Sequence, residues 1–99
     1  MTFELKFDPL AQEDIQKIIS YYNSAQEELG QEFFTELKEY YTSLKTNPFY
    51  EIRYSNVRCL PLKRFPYMIH FVVDETSKVV KIRAVFGTSE STVHWSKRK

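Results

Sequence analysis

The sequence contains little cysteine, glycine or proline: one Cys, two Gly and four Pro in 99 residues. The single cysteine, Cys59, excludes an internal disulfide. With only two histidines, His70 and His94, it also excludes the usual Cys/His sets of zinc ligands. We therefore expect neither a metal site nor a cofactor.

Long apolar runs are absent too. No stretch approaches the roughly 20 apolar residues of a membrane helix, and the alternating N-terminus does not look like a signal peptide. We expect a cytoplasmic protein with no membrane partner. Its length predicts a single domain spanning residues 1–99, and an aromatic content of 16% excludes a disordered chain.

The charge is distributed unevenly along the chain. Residues 1–50 carry four Lys and nine Asp/Glu, a net −5, whereas residues 51–99 carry ten Lys/Arg and four Asp/Glu, a net +6. This asymmetry predicts that one face is basic and binds a polyanion or an acidic protein. The alternative is ordinary solvation of a charged surface.

The first third of the chain predicts a strand followed by a helix. Residues 2–7 alternate between apolar and polar, as in a half-buried strand. Asp8 is suited to the N-cap and Pro9 to the first helical position. Apolar residues then recur every three or four positions over residues 11–29, which indicates an amphipathic helix. Gly30 is suited to the left-handed turn that would end it.

A second amphipathic helix is predicted at residues 31–45, and Asn47-Pro48 marks its end. The short link predicts that the two helices form an antiparallel hairpin. Strands are predicted at 57–62, 67–74 and 79–86. The order β-α-α-β-β-β predicts an α+β fold, in which the hairpin covers one face of a small twisted antiparallel sheet and leaves the other face open.

The open face is predicted to be basic. In the last strand we assign Val80, Ile82, Ala84 and Phe86 to the helix-covered core. Lys81 and Arg83 then lie on the open face, since burying unpaired cations is costly. The full predicted surface is Arg58, Lys63, Arg64, His70, Lys81 and Arg83.

Two aromatic residues complete the candidate binding set. The ring of Tyr67 is suited to stacking on a base, and Trp95 anchors the tail or contacts a partner. Ordinary structural roles compete with each assignment. Strand arginines are commonly solvated, His70 lies between apolar residues, and Cys59 is typical of a small buried hydrophobic residue.

The ordered set of motifs resembles the RelE/ParE family of toxins. Residues 10–22 resemble the opening helix of that family, and residues 30–34 its second helix. Asn47-Pro48 and the segments 58–62, 65–69 and 82–86 resemble its central and last strands. No single motif is specific, but their order is, and the resemblance covers nearly the whole chain.

The resemblance implies a toxin of a type II toxin–antitoxin system. It implies a cognate antitoxin that is small, acidic and partly disordered, that wraps and neutralises the toxin, and that can form a hetero-oligomer with it. In the ParE branch the target is DNA gyrase, which is inhibited by binding. In the RelE branch the toxin cleaves messenger RNA on the ribosome. A degenerate toxin that only binds antitoxin is a third alternative.

The tail departs from the family pattern. Where many relatives carry a His, an Arg and a Pro, this chain has Gly87, Glu90 and Thr92; Thr88, Ser89 and Trp95 match. An anion replaces a cation suited to phosphate chemistry, which favours gyrase binding. If the chain is an endoribonuclease, the resemblance and charge nominate Arg58, Lys63, Arg64 and Arg83 as catalytic, with Tyr67 or His94 transferring protons.

Overall fold

The computed structural model describes residues 2–88. Its elements are β1 (Glu4–Phe7), α1 (Pro9–Ala25), α2 (Leu29–Thr46), β2 (Ile52–Tyr54), β3 (Val57–Pro61), β4 (Tyr67–Asp74) and β5 (Val79–Gly87). They form a five-stranded sheet of order β1-β5-β4-β3-β2. The predicted α+β fold is confirmed, with two differences: a short extra strand, β2, precedes β3, and β1 runs parallel to β5, so the sheet is mixed. Parallel pairing needs a crossover, and the two helices after β1 supply it.

The main core lies between the helices and one face of the sheet. The apolar stripes of both helices are buried, as their spacing predicts. Its innermost helical residues are Ala11, Phe33, Leu37 and Leu44, and they face Ile69, Phe71, Val80 and Ile82 of the sheet. This packing leaves one sheet face uncovered by the hairpin.

Gly30 does not end the first helix, so that prediction was wrong. α1 ends at Ala25, and the left-handed residue of the link is Glu28, with φ 69°. Gly30 is instead buried in the first turn of α2, where the two helices approach closely. A Cβ at this position would lie 2.5 Å from the carbonyl oxygen of Ile19 and 2.7 Å from Oδ1 of Asn23. Glycine is required here for helix packing.

We expect Gly30→Ala to destabilise the protein by about 1–3 kcal/mol, the usual cost of overpacking. Helix propensity alone would favour alanine by roughly 1 kcal/mol, but a backbone carbonyl cannot move away as a side chain can. Urea unfolding measures the change, with the exposed neighbour Gln31→Ala as control. A Gly30→Ala protein as stable as the wild type would show that the helices separate easily.

A β-bulge interrupts β5 at Arg83. Across the ladder with β4, His70 pairs with Ala84 and Phe71 pairs with Ile82, which leaves Arg83 as the extra residue. One extra residue reverses the alternation of side chains beyond it.

The bulge corrects part of the predicted core. Ala84 and Phe86 do not lie under the helices; they pack on the other sheet face in a small cluster with Cys59 and Met68. Val85, which strict alternation assigns to the open face, joins the main core instead. The prediction for Val80 and Ile82, which precede the bulge, is correct.

Candidate functional site

A hollow of about 420 Å³ lies on the sheet face that the helices leave uncovered. Three cations line it: Lys6 of β1 with Lys81 and Arg83 of β5. We call it the basic hollow. Its remaining lining residues are Asn56, Val72, Asp74, Ser77 and Val79. Lys81 and Arg83 therefore come together on the uncovered face, as the sequence predicts.

Lys6 was missed by the sequence analysis. It is the direct cross-strand neighbour of Lys81, since β1 and β5 pair in parallel with these two residues in register. Like charges directly opposite each other destabilise a sheet. An anionic ligand in the hollow would relieve that repulsion. Alternation alone placed Lys6 on a polar face, but the parallel pairing that brings it to Lys81 has no local signature.

Two carboxylates, one at the N-cap of α1 and one within α1, contact the bulge. Asp8 occupies the N-cap position as predicted, yet its side chain makes no capping hydrogen bond and forms an ion pair with Arg83 instead. Further along, Oδ2 of Asp14 accepts a hydrogen bond from the backbone N–H of Val85 at 3.1 Å. That N–H lies beyond the end of β1, which pairs only as far as Ile82. The bulge is therefore in contact with the start of α1 through Arg83 and Val85.

Arg58 does not lie on the uncovered face, which corrects the predicted surface. It shares a side of β3 with Leu60, as predicted, but that side faces the helices. Its Nη1 donates to the carbonyl oxygen of Tyr50 at 2.8 Å, and its guanidinium carbon lies 5.4 Å from the ring centre of Phe49. Arg58 is therefore engaged at the edge of the main core.

Lys63 and Arg64 also lie away from the basic hollow. They belong to the loop between β3 and β4, which packs against α2. Oε2 of Glu36 accepts hydrogen bonds from the backbone N–H groups of Lys63 (3.0 Å) and Arg64 (3.2 Å). The Arg64 guanidinium forms an ion pair with Glu32 at 2.8 Å. Contacts with the helix explain why these cations do not join Lys81.

His70 lies on the predicted face but is fully buried, so it cannot line an open surface. Its Nδ1 lies 3.0 Å from the hydroxyl of Tyr54 and 3.4 Å from Sγ of Cys59. Its ring packs 5.1 Å from that of Phe86. Burial raises the pKa of the Cys59 thiol to about 11, so the thiol is neutral at physiological pH.

We expect Cys59 to resist thiol reagents. With a pKa of about 11, roughly one thiol in 1,000 is ionised at pH 8. Because the side chain is also buried, a disulfide reagent should react at least about 100-fold more slowly with the folded protein than with the protein in urea. Absorbance of the released thiolate follows this single cysteine without interference. Equal rates in both states would show that the small cluster around Cys59 opens readily.

Tyr67 is placed among aromatic rings at the helices, 6.2 Å from Tyr22 and 5.8 Å from Phe33 between ring centres. It does not line the basic hollow. Trp95 and the other family positions from Ser89 onward, including His94, lie outside the described residues. Gly87 ends β5 and Thr88 follows it.

Within residues 2–88, no helix is both long and apolar enough to cross a membrane. In the same span, no three His, Cys, Asp or Glu side chains are grouped in a way that could hold a metal ion.

The chain is similar to proteins of known family and structure. A family model described as ParE toxin of type II toxin-antitoxin system, parDE, matches residues 5–92. Among solved structures, a chain of the chromosomal ParDE system from P. aeruginosa has a TM-score of 0.74 and 22% identity, over 86% of this chain and 95% of that one.

Two other solved structures share the fold. A mutant of the E. coli toxin RelE in the free state has a TM-score of 0.70 and 19% identity, over 99% of this chain and 95% of that one. The toxin–antitoxin complex RelBE2 from Mycobacterium tuberculosis has a TM-score of 0.57 and 16% identity, over 88% of this chain and 99% of that one. The comparison with curated proteins finds no match. From the family model, which spans most of its length, the chain belongs to the ParE toxin family of type II toxin–antitoxin systems.

Proposed function

We propose that this toxin inhibits DNA gyrase by binding to it and does not cleave RNA. The observation that supports the proposal is the separation of the candidate catalytic residues. Ribose activation and phosphate cleavage need a general base, an acid and cations close together. Binding needs only a complementary surface.

The candidate cations fall into distinct regions. Of the four nominated for RNA cleavage, only Arg83 lines the basic hollow. Arg58 faces the helix side, and Lys63 and Arg64 contact α2. Within residues 2–88, the nominated proton-transfer residue Tyr67 packs among rings away from the hollow. The described part of the chain therefore supports a docking surface better than an RNA-cleaving centre.

The basic hollow is the part of that surface we assign to an acidic partner. Lys6 and Lys81 present positive charge beside one another, with Arg83 next to them in its ion pair with Asp8, and together they attract carboxylates or phosphates. On this proposal the hollow contacts gyrase or its bound DNA in the cytoplasm. The acidic antitoxin neutralises the toxin by covering the same cations.

The test is a pair of assays with purified protein. We expect loss of supercoiling by gyrase and no codon-specific cleavage of ribosome-bound messenger RNA. Reversing charge in the hollow with Lys81→Glu should relieve the inhibition. Lys17→Glu, the same change at an exposed position of α1, should not. Messenger RNA cleavage with unaffected gyrase would replace this proposal by the endoribonuclease alternative, and no activity in either assay would indicate a degenerate toxin.

A further inference from the structure

An acidic groove of about 690 Å³ lies between α2 and the β3–β4 loop. Four glutamates line it, against one lysine and one arginine. The glutamates are Glu28, Glu32, Glu36 and Glu39. Their spacing of three or four residues places them along one side of α2, with Glu28 at its N-cap. The groove is distinct from the basic hollow, with which it shares no lining residue.

Glu36 forms part of the lining of the groove and has an incomplete set of partners. The residue is only 8% exposed. Its Oε2 accepts the two loop N–H groups, but Oε1 is shielded from solvent and has no hydrogen-bond donor within residues 2–88. A shielded carboxylate oxygen without a donor is unfavourable. A nearby cation would stabilise it even without direct contact.

The charge of the groove is not balanced internally. Among residues 2–88, Glu32 is the one glutamate of the four in an ion pair, with Arg64. Tyr40 also lines the groove. Its pKa is raised chiefly by burial, and the nearby carboxylates of Glu36 and Glu39 raise it further. A phenol that resists ionisation is consistent with negative potential at this position.

We propose that the acidic groove binds the guanidinium of an arginine carried by a short segment of a partner protein. Several carboxylates at helical spacing suit a planar, multidentate donor. Tyr40 and Tyr50 supply rings on which a guanidinium stacks, an interaction that lysine makes less well. The volume fits a side chain and its neighbouring residues. The toxin thus offers two docking sites of opposite charge, and this one is independent of the identity of the target.

Titration of ¹⁵N-labelled full-length protein with a capped peptide, acetyl-Gly-Ser-Arg-Ser-Gly-amide, tests the site. We expect saturable shifts at the amides of Lys63 and Arg64, which report on Glu36. The neutral citrulline analogue should not produce them. Glu39→Gln removes one charge from a residue that does not hold the loop, and should weaken binding about threefold. Glu36→Gln should weaken it about tenfold. Glu13→Gln, the same change at an exposed position of α1, should have no effect.

Several outcomes would overturn the inference. Equal binding of the citrulline peptide would remove the charge requirement, and shifts spread over the whole surface would indicate general attraction. If Glu36→Gln disturbs the loop, an unchanged affinity in Glu39→Gln is still decisive against the site. Signals that change on dilution without peptide would identify a second copy of the chain as the occupant. Gyrase is absent from this experiment, so failure of the proposed function leaves its result unaffected.

Discussion

Arg83→Ala should abolish growth inhibition while the protein remains folded. Arg83 lies in the bulge of β5, at the basic hollow, and Asp8 holds it there. An arginine near the centre of an interface commonly contributes roughly 2 kcal/mol, so if the basic hollow binds gyrase as proposed, the affinity for gyrase should fall about 30-fold. The ion pair with Asp8 is only partly buried, and losing it should cost about 1 kcal/mol of stability. Binding to immobilised gyrase measures the first effect and thermal unfolding the second.

The matched control for this prediction is Arg53→Ala. Arg53 is also ion-paired, with Glu51, but it lies in β2 at the opposite edge of the sheet. The substitution removes the same charge and should leave growth inhibition intact. If a folded Arg83→Ala protein stays as toxic as the wild type, the basic hollow is not the docking site. If both variants lose toxicity equally, overall charge and not position is responsible.

Phe33→Ala should have the largest effect on stability, about 3–5 kcal/mol. Phe33 is fully buried, and its ring centre lies 5.4 Å from that of Phe65 and 6.0 Å from that of Tyr22. It therefore joins α2 to α1 and to the loop before β4. The expected loss is a large share of the roughly 5–15 kcal/mol available to a domain. Denaturant unfolding followed by circular dichroism gives the value.

Phe49→Ala serves as the comparison, because Phe49 is the same residue type but 51% exposed. We expect its loss to cost about 1 kcal/mol, since it removes less buried area. Similar midpoints for the two variants would mean that the surrounding side chains collapse into the cavity at position 33. Phe33→Leu, which keeps much of the volume, should fall between the two.

The helices and the central strands could be predicted from the sequence because their patterns are local. The 3,4 spacing of the α1 stripe correctly predicts the buried residues Ala11, Ile15 and Ile18, whatever the helix packs against. The apolar run of β4, the polar turn after it and the next apolar run likewise indicated a hairpin, and β4 spans Tyr67–Asp74 as predicted. The start of α2 differs by two residues, since Gly30 was mistaken for a stop, and its end differs by one.

The features that the sequence did not reveal depend on contacts between distant segments. Gly30 in a helix is explained only by the carbonyl of Ile19 on the neighbouring helix. The bulge at Arg83 contacts two carboxylates more than 65 positions earlier: Asp8 pairs with Arg83, and Asp14 accepts a hydrogen bond from the N–H of Val85. The position of Lys63 and Arg64 follows from Glu36, which no spacing rule connects with them.

The candidate site was therefore only partly foreseen. Lys81 was placed correctly because the strand before the bulge obeys simple alternation, and Arg83, the bulge residue, lines the same hollow. Lys6 was missed because parallel pairing of the first and last strands leaves no local mark. Arg58 was misplaced because the side it shares with Leu60 was assigned to the wrong face of the sheet.

The extra residue at position 83 also affects how relatives should be aligned with this chain. In a homologue whose last strand is regular, one residue fewer separates the same two flanking positions. An alignment without a gap would match an inward side chain of one protein with an outward side chain of the other. Functional residues transferred through such an alignment would be wrong from Ala84 onward. A gap placed at Arg83 restores the correspondence.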